Sequence, residues 1–224
     1  MLDYIENSII IPKKNRVSSI SQEEAWYIYS FLRQKKIKLT LEVGFGYGYS
    51  AAYIVSATKK QHVVIDPFQS RYNYLGIFNI KKLRLFHKIK HIPNYSHAAL
   101  PQLVKQKKTY EFIFIDGGHL YDQVFLDFYY ADLLTSRGGY ILFHDVWMQS
   151  TQFVISWIRT NRLDYKILKT SHGNLALIHK VGVDKRPFTH FVDFYPWRYK
   201  VRAMKHMFKM LIFKFQKESR ALLF

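Results

Sequence analysis

The sequence predicts an α/β protein with a doubly wound, seven-stranded sheet and a basic helical appendage at the C-terminal end. Short uninterrupted apolar runs, such as FIFI at residues 112–115, are typical of parallel strands that are buried on both faces. These runs alternate with helical patterns, and two closing strands with little between them indicate a final hairpin. The predicted strands cover residues 38–43, 62–66, 83–89, 111–116, 139–144, 164–168 and 175–179.

The helices are predicted from capping and from apolar periodicity. Ser21 followed three residues later by Glu24 is a capping box, and it opens a helix that runs to about Lys36. Further helical patterns cover residues 49–58, 69–81, 97–105, 122–134 and 152–160. We therefore expect an N-terminal segment with its helix at 1–36, a core domain at 37–182 and an appendage at 183–224.

Composition limits the classes of protein to which the chain can belong. At 224 residues with 49% hydrophobic residues, it is long enough for one decorated domain with a buried core. The absence of cysteine excludes a disulfide scaffold, a Cys-ligated zinc or iron–sulfur site and a cysteine nucleophile. The net charge of +18 predicts either an acidic partner surface or strong solvation.

Targeting signals are not recognisable in the sequence. No run approaches the roughly 18 apolar residues that a membrane span needs. The apolar patch within residues 1–14 is too short for the core of a signal peptide and has acidic residues before it. A cytoplasmic location is therefore expected.

A glycine-rich turn follows the first predicted strand. Gly44, Gly46 and Gly48 form a G-x-G-x-G run, which lets the backbone turn tightly and approach a ligand closely. Asp66 ends the next predicted strand, where an α/β nucleotide site places a carboxylate that accepts hydrogen bonds from ribose hydroxyls. A plain strand-to-helix turn is the alternative, and the position of Asp66 makes that alternative less attractive.

Three polar side chains follow the fourth and fifth predicted strands. Asp116 ends the fourth strand, and His144 and Asp145 end the fifth, so all three are expected in the crevice at the carboxyl ends of the sheet. Such a set could hold a divalent ion: oxygen ligands suit Mg²⁺, Ca²⁺ or Mn²⁺, and the imidazole shifts the preference toward Mn²⁺ or a later metal. The alternative is a metal-free site in which the two carboxylates are hydrogen-bonded at loop ends.

Residues 41–50, LEVGFGYGYS, resemble motif I of the class I S-adenosylmethionine (SAM) dependent methyltransferases. The stretches IDGGHLY at 115–121 and GGYILFHD at 138–145 are similar to an O-methyltransferase subgroup with the pattern IDG-x-H-x-Y … GG … HD. That subgroup is related to catechol-type and to antibiotic- or sugar-modifying enzymes. Residues 94–101 resemble its G-x-S-x-x-x-L-P segment, with Asn94 in place of the glycine. The resemblance covers about residues 21–180 and implies a Rossmann-like class I methyltransferase fold.

The resemblance also implies a set of cofactor contacts with SAM. The three glycines line the methionine end, Asp66 holds the ribose, and Ser96 lies beside the adenine. Asp116 is expected at the cofactor as well as at the metal. Glu42 is grouped with these residues as a strand-end carboxylate that braces the glycine loop rather than as a ligand contact.

For the chemistry, the resemblance points to His119, with Asp116 as the second catalytic candidate. In metal-dependent relatives a general base occupies this offset of three residues after Asp116, so His119 is the candidate that deprotonates an acceptor hydroxyl. A structural loop histidine is the equally weighted alternative. The metal positions of catechol-type relatives are Asp, Asp and Asn, whereas this chain has Asp116, His144 and Asp145, so both the presence of Mg²⁺ or Mn²⁺ and its identity stay open.

Three functions follow, in order of preference. The first is O-methylation of a small-molecule or sugar hydroxyl. The second is methylation of RNA or another polyanion, which the positive charge permits. Against it, the chain has no appended RNA-binding domain and no N-P-P-Y-type motif. The third is a non-catalytic scaffold with a SAM-binding fold, favoured only if His119 and Asp145 prove to be misplaced.

The C-terminal segment has the pattern of a basic amphipathic helix. Residues 183–224 contain ten Lys or Arg and three acids. Apolar residues recur at helical spacing, with a basic face beside them: Val201, Met204, Phe208, Leu211 and Phe215 against Arg198, Arg202, Lys205 and Lys209. Such a helix can lie on an anionic membrane, near a lipid-linked glycan acceptor. The preferred alternative is packing on the core or on a second subunit in a homo-oligomer.

Overall fold

A computed structural model of the protein describes residues 2–196 and, beyond them, Tyr199, Val201, Met204 and Met207. Val201 and Met204 are helical. The rest of the predicted amphipathic stripe and its basic face lie outside the described residues, so the membrane and packing alternatives both stay predictions.

A seven-stranded sheet forms the centre of the protein. Its strands are β1 (Thr40–Val43), β2 (His62–Ile65), β3 (Ile89–Ile92), β4 (Tyr110–Ile115), β5 (Thr135–Phe143), β6 (Tyr165–Leu168) and β7 (Ala176–Lys180). The order is β3-β2-β1-β4-β5-β7-β6, with β7 antiparallel to both neighbours and every other pairing parallel. The predicted doubly wound sheet with a closing hairpin is confirmed. The chain reverses its winding between β1 and β4, which opens a crevice at their carboxyl ends.

Helices cover both faces of the sheet. They are α1 (Leu2–Ser8), α2 (Gln22–Gln34), α3 (Tyr49–Thr58), α4 (Leu75–Lys82), α5 (Ser96–Lys105), α6 (Tyr121–Leu134) and α7 (Gln149–Asn161). One hydrophobic core lies between the sheet and α1 to α4, and a second lies between the sheet and α5 to α7. Among the helices of the described residues, none has the length and apolar character needed to cross a membrane.

The predicted third strand at 83–89 is wrong. The strand is Ile89–Ile92, and the residues before it complete α4 and form a 3₁₀ turn at Phe86–Lys88. Leu83 is buried as the last anchor of α4, and Arg84 adopts a positive φ of 57° that turns the chain out of the helix. Apolar residues at a helix end and a short apolar strand look alike in sequence.

The predicted helix at 69–81 is interrupted. A 3₁₀ helix at Gln69–Tyr72 precedes α4, and the two are separated by Asn73 and Tyr74, with φ values of 48° and 56°. Left-handed backbone at two successive residues cannot continue a right-handed helix.

The first ten residues brace the glycine turn from outside. The hydroxyls of Tyr49 and Tyr53 donate hydrogen bonds to the Glu6 carboxylate on α1. Asn79, fully buried on α4, donates from Nδ2 to the carbonyls of Ile10 (2.9 Å) and Tyr47 (3.0 Å) and accepts from the Ile10 amide (3.0 Å). We call residues 2–10 the N-terminal strap. It is tied to the same turn that carries Gly44, Gly46 and Gly48.

Residues 181–196, the C-terminal arm, return along α7. The Asn161 side chain donates to the Val192 carbonyl (2.9 Å) and accepts from the Val192 amide (2.8 Å). Nearby, the buried guanidinium of Arg162 pairs with Asp132 (2.8 Å) and Asp164 (2.7 Å). The segment that the sequence sets apart as an appendage therefore begins as a strip fixed to the core, and the boundary at residue 183 stays a prediction.

Candidate active site

The glycine turn links β1 to α3 at the carboxyl edge of the sheet. Gly44 has a φ of 94°, and a Cβ there would lie 2.1 Å from the carbonyl oxygen of Asp116. Gly46 also has a positive φ, of 47°, but open space surrounds it, and Gly48 is the N-cap of α3. The turn thus packs tightly against the β4 loop at Gly44 and leaves room for a ligand at Gly46.

Asp66 connects the end of β2 to this turn. Its carboxylate is 4% exposed, and Oδ2 accepts hydrogen bonds from the amides of Phe45 and Gly46, both at 2.9 Å. Oδ1 accepts from the Phe68 amide at 2.6 Å. A carboxylate has about four acceptor positions, so Oδ1 keeps one for a ligand hydroxyl.

Gln69 is a residue of this region that the sequence did not single out. Its Nε2 donates to the Gly46 carbonyl (2.8 Å), whereas its buried Oε1 has no partner among the described residues. A buried carbonyl oxygen without a donor is rare in folded proteins. This oxygen lies close to Gly76 of α4, so the open space at Gly46, rather than Gln69, is the feature that leaves room for a ligand.

Glu42 lies behind the turn rather than at its open side. The side chain is fully buried, accepts a hydrogen bond from the Ser50 hydroxyl and pairs with His62 Nε2 at 2.7 Å. Burial raises the pKa of Glu42, and the contacts with His62 and Ser50 oppose that rise. These contacts join β1, β2 and α3, which is the geometry of a bracing carboxylate.

Ser96 begins α5 and lies near a buried acid on α6. That acid, Asp127, is 1% exposed, and neither of its oxygens has a hydrogen-bond partner in the described part of the chain. Burial raises the pKa of Asp127 to about 6, and the neighbouring Ser96 hydroxyl offsets the rise only in part. No sequence pattern singles out Asp127, because one acid on an amphipathic helix normally faces solvent.

Because this acid is buried, we expect Asp127→Asn to stabilise the folded protein by an amount that depends on pH. The folded pKa of about 6 lies above the unfolded value of about 3.9, so the contribution of Asp127 to stability is most favourable below pH 4 and is lost as the pH rises through 6. Above pH 6 the loss is about 3 kcal/mol. We expect Asp127→Asn to raise the free energy of unfolding by up to this amount at pH 7.5 and by less at pH 4.5, measured by urea denaturation. Asp122→Asn, an exposed acid on the same helix, is the control, and destabilisation at pH 7.5 would contradict the prediction.

The three predicted metal ligands come together. His144 Nδ1 lies 3.0 Å from Asp116 Oδ1 and 3.5 Å from Asp145 Oδ2, and one ligand atom of each residue lies within 4.8 Å of the others. Asp145 has a φ of 53°, which is unusual for a residue other than glycine. Strained backbone of this kind concentrates at functional sites.

His119 joins this cluster from the β4–α6 loop. Its Nε2 lies 2.8 Å from Asp145 Oδ2, and nearly half of its side chain is exposed. The hydrogen bond to Asp145 raises the pKa of His119, and burial opposes that rise. The loop therefore presents to solvent an imidazole that is oriented by a carboxylate.

Two further residues contact the cluster and were missed from the sequence. Glu24 Oε2 lies 3.4 Å from His144 Nε2, and Asn174 Nδ2 lies 2.9 Å from the same nitrogen. Burial disfavours a charge on His144, but the carboxylates of Asp116, Asp145 and Glu24 outweigh it and raise the pKa of His144 to about 12. An imidazolium donates from both nitrogens, so the Asn174 amide fits this state with its oxygen toward Nε2.

A sequence profile for a family described as a methyltransferase domain matches residues 41–146. The match begins in β1, includes the glycine turn, and ends just beyond Asp145. Residues 41–146 therefore match a methyltransferase domain, over slightly less than half of the chain. Among curated protein sequences, no significant match to the chain is found.

Solved structures of methyltransferases share the fold of this chain. The O-methyltransferase TomG from Streptomyces achromogenes, involved in tomaymycin synthesis and in complex with SAM, is 14% identical, with a TM-score of 0.62 over 81% of this chain and 95% of that chain. An O-methyltransferase from Bacillus cereus in complex with S-adenosylhomocysteine (SAH) is 14% identical, with a TM-score of 0.61 over 80% and 96%. The SAH-bound methyltransferase PaMTH1 from Podospora anserina is 17% identical, with a TM-score of 0.62 over 79% and 92%.

Proposed function

We propose that the protein transfers the methyl group of SAM to a hydroxyl oxygen of a small molecule or sugar. One observation carries this proposal: the glycine turn is in contact with the acid–histidine cluster, which consists of Asp116, His119, His144 and Asp145. The backbone of Gly44 packs directly on the carbonyl of Asp116, whose side chain contacts His144. A methyl donor at the turn would thus lie beside the groups that can activate an acceptor.

The chain's contribution to SAM binding follows from the turn. The backbone of Gly44, Gly46 and Gly48 would cradle the methionine end, Asp66 Oδ1 would accept from a ribose hydroxyl, and Ser96 would lie beside the adenine. Asp116 lies where the cofactor and acceptor regions meet. The sulfonium of SAM is already activated, so the protein's main task is to align the acceptor oxygen, the methyl carbon and the sulfur.

His119 is proposed as the general base. With Nε2 donating to Asp145, the lone pair of the neutral ring is on Nδ1, which can take the proton of the acceptor hydroxyl. Asp145 orients the ring and stabilises the imidazolium that forms. The half-exposed position of His119 lets it reach an acceptor that enters from solvent.

A divalent ion is proposed at Asp116, His144 and Asp145. Two carboxylates and an imidazole within 4.8 Å of one another are a suitable donor set for Mg²⁺ or Mn²⁺, and the imidazole favours Mn²⁺. When bound, such an ion lowers the pKa of a coordinated hydroxyl and fixes the acceptor oxygens. His144 must be deprotonated to act as a ligand, so its imidazolium form competes with the ion.

Asp66→Ala tests the cofactor half of the proposal. The substitution removes charge-assisted hydrogen bonds of about 1.5–3 kcal/mol, so the affinity for SAM and SAH should fall by roughly 10- to 150-fold. The measurement is calorimetric titration with SAH, with a thermal unfolding scan to confirm that the variant is folded. Asp122→Ala, at an exposed acid in the first turn of α6, is the control. A wild-type protein that binds neither SAM nor SAH would refute the proposed function.

A further inference from the structure

A cleft of about 520 Å³ opens next to the acid–histidine cluster. Trp147 and Asn174 are at its near end. The indole Nε1 of Trp147 donates to Asp145 Oδ1 at 2.8 Å, and Asn174 contacts His144. A molecule in this cleft would therefore touch the shell of side chains around the proposed reaction site.

One face of α7 forms the length of the cleft. Gln152, Ser156 and Arg159 line it at positions i, i+4 and i+7 of the helix. At a rise of 1.5 Å per residue, Gln152 and Arg159 are separated by about 10 Å along the helix axis. Gln152 Nε2 donates to the carbonyls of Val146 and Trp147, which fixes the near end of this face at the Asp145 loop. Arg159 marks the far end.

The C-terminal arm provides another wall. Pro196 lines the cleft, and Phe194 packs edge-on against Phe153 of α7 with 6.3 Å between the ring centroids. The two hydrogen bonds between Asn161 and Val192 hold the arm in place. The cleft is therefore lined by α7, by the C-terminal arm and by the loops that carry Trp147 and Asn174, and it is not a groove along one helix.

The charge in the described lining of the cleft is positive. Arg159 is exposed and makes no ion pair within the described residues, and the described lining contains no Asp or Glu. A guanidinium with its donors free is a strong partner for the two oxygens of a carboxylate or phosphate. Trp147, 61% exposed, adds a flat ring surface between this cation and the cluster.

We propose that this cleft binds the methyl acceptor, and that Arg159 recognises a carboxylate or phosphate at the end of the acceptor that lies away from the methylated hydroxyl. This inference rests on the proposed function. The volume of the cleft lies within the range of sites for small molecules, roughly 300–1,000 Å³. It follows that Arg159 is a specificity-determining residue and takes no part in the chemical step.

The experiment compares charged and neutral members of two acceptor pairs. Calorimetry measures the binding of 3,4-dihydroxycinnamate and its neutral alcohol, and of a hexose 6-phosphate and the free hexose, to protein saturated with SAH. Wild-type protein should bind the anion of one pair at least tenfold more tightly than its neutral partner. The pair that shows this preference identifies carboxylate or phosphate as the recognised group. Arg159→Gln should abolish the preference.

Arg137→Gln is the matched control, since Arg137 is an exposed arginine at the start of β5, at the opposite edge of the sheet. It should keep the preference. No anion preference in wild-type protein, or a preference that survives Arg159→Gln, would overturn the inference. Failure to bind SAH in the same titration refutes the proposed function, and the anion preference is then measured in the protein alone. SAH binding without an anion preference refutes only the inference.

Discussion

Asp145→Ala is expected to abolish methyl transfer and to leave the affinity for SAM nearly unchanged. Asp145 contacts His119, His144 and Trp147, and none of the hydrogen bonds of the glycine turn depends on it. Its loss removes the partner of the proposed base, which contributes about 10²–10⁴-fold to turnover. It also removes one ligand of the proposed ion, which would stabilise the transition state by several kcal/mol. Transfer of labelled methyl from SAM to an acceptor panel measures turnover, and SAH calorimetry measures affinity.

His119→Ala and a chelator separate the two parts of this effect. His119→Ala keeps all three proposed metal ligands and should lower turnover by about 10²–10⁴-fold. A chelator leaves the base in place and should stop turnover until Mg²⁺ or Mn²⁺ is restored. Full activity in chelator would refute the proposed role of the ion but not the proposed methyl transfer. The His144 imidazolium would then supply the positive charge at the site. An active Asp145→Ala variant would contradict both roles.

Gly44→Ala is expected to cost the protein both stability and cofactor binding. A Cβ at this position would lie 2.1 Å from the Asp116 carbonyl oxygen and 2.7 Å from its carbon, and the φ of 94° is itself strained for alanine. Backbone strain and overpacking each cost about 1–3 kcal/mol, so the free energy of unfolding should fall by about 2–6 kcal/mol. The turn can fit a Cβ only by moving away from the β4 loop, which displaces the backbone that would cradle SAM. We expect SAH binding to be lost.

Gly138→Ala is the matched control for this substitution. Gly138 also has a positive φ, of 81°, but nothing lies within 4 Å of an added Cβ. Only the strain term applies, about 1–3 kcal/mol, and SAH affinity should be unchanged. Urea denaturation and SAH calorimetry on both variants give the comparison. Equal losses of stability in the two variants, or normal SAH binding by Gly44→Ala, would contradict the predicted steric clash with the Asp116 carbonyl.

The fold was predictable because buried parallel strands carry a strong local signal. Continuous apolar runs marked β2, β4 and β5, and the capping box placed the start of α2. No such run marks β1, which is Thr-Leu-Glu-Val, or β3, which is Ile-Lys-His-Ile, and at β3 the more apolar stretch before the strand was chosen. It also failed at α1, a seven-residue helix that depends on packing against α3 for its stability.

The candidate site was predictable only where its residues lie at the ends of strands. Asp66, Asp116, His144 and Asp145 follow β-strands directly, and sheet topology brings them to one edge. Glu24, Gln69 and Asn174 come from a helix start, a short turn and a late loop. A local explanation accounted fully for Glu24, because its capping hydrogen bonds with Ser21 are present as predicted. Such residues acquire a second role only through tertiary contacts, which no local pattern encodes.

The N-terminal strap makes two remote parts of the chain thermodynamically dependent on each other. Asn79 holds Ile10 and Tyr47 at once, so detachment of the strap loosens the side chain that also holds the glycine turn. By linkage, a ligand that binds only the ordered turn should make local unfolding of residues 2–10 rarer as its occupancy rises. Amide hydrogen exchange in the strap would therefore slow as SAM binds at the turn. Exchange in residues 2–10 would in that sense report how much of the protein has cofactor bound.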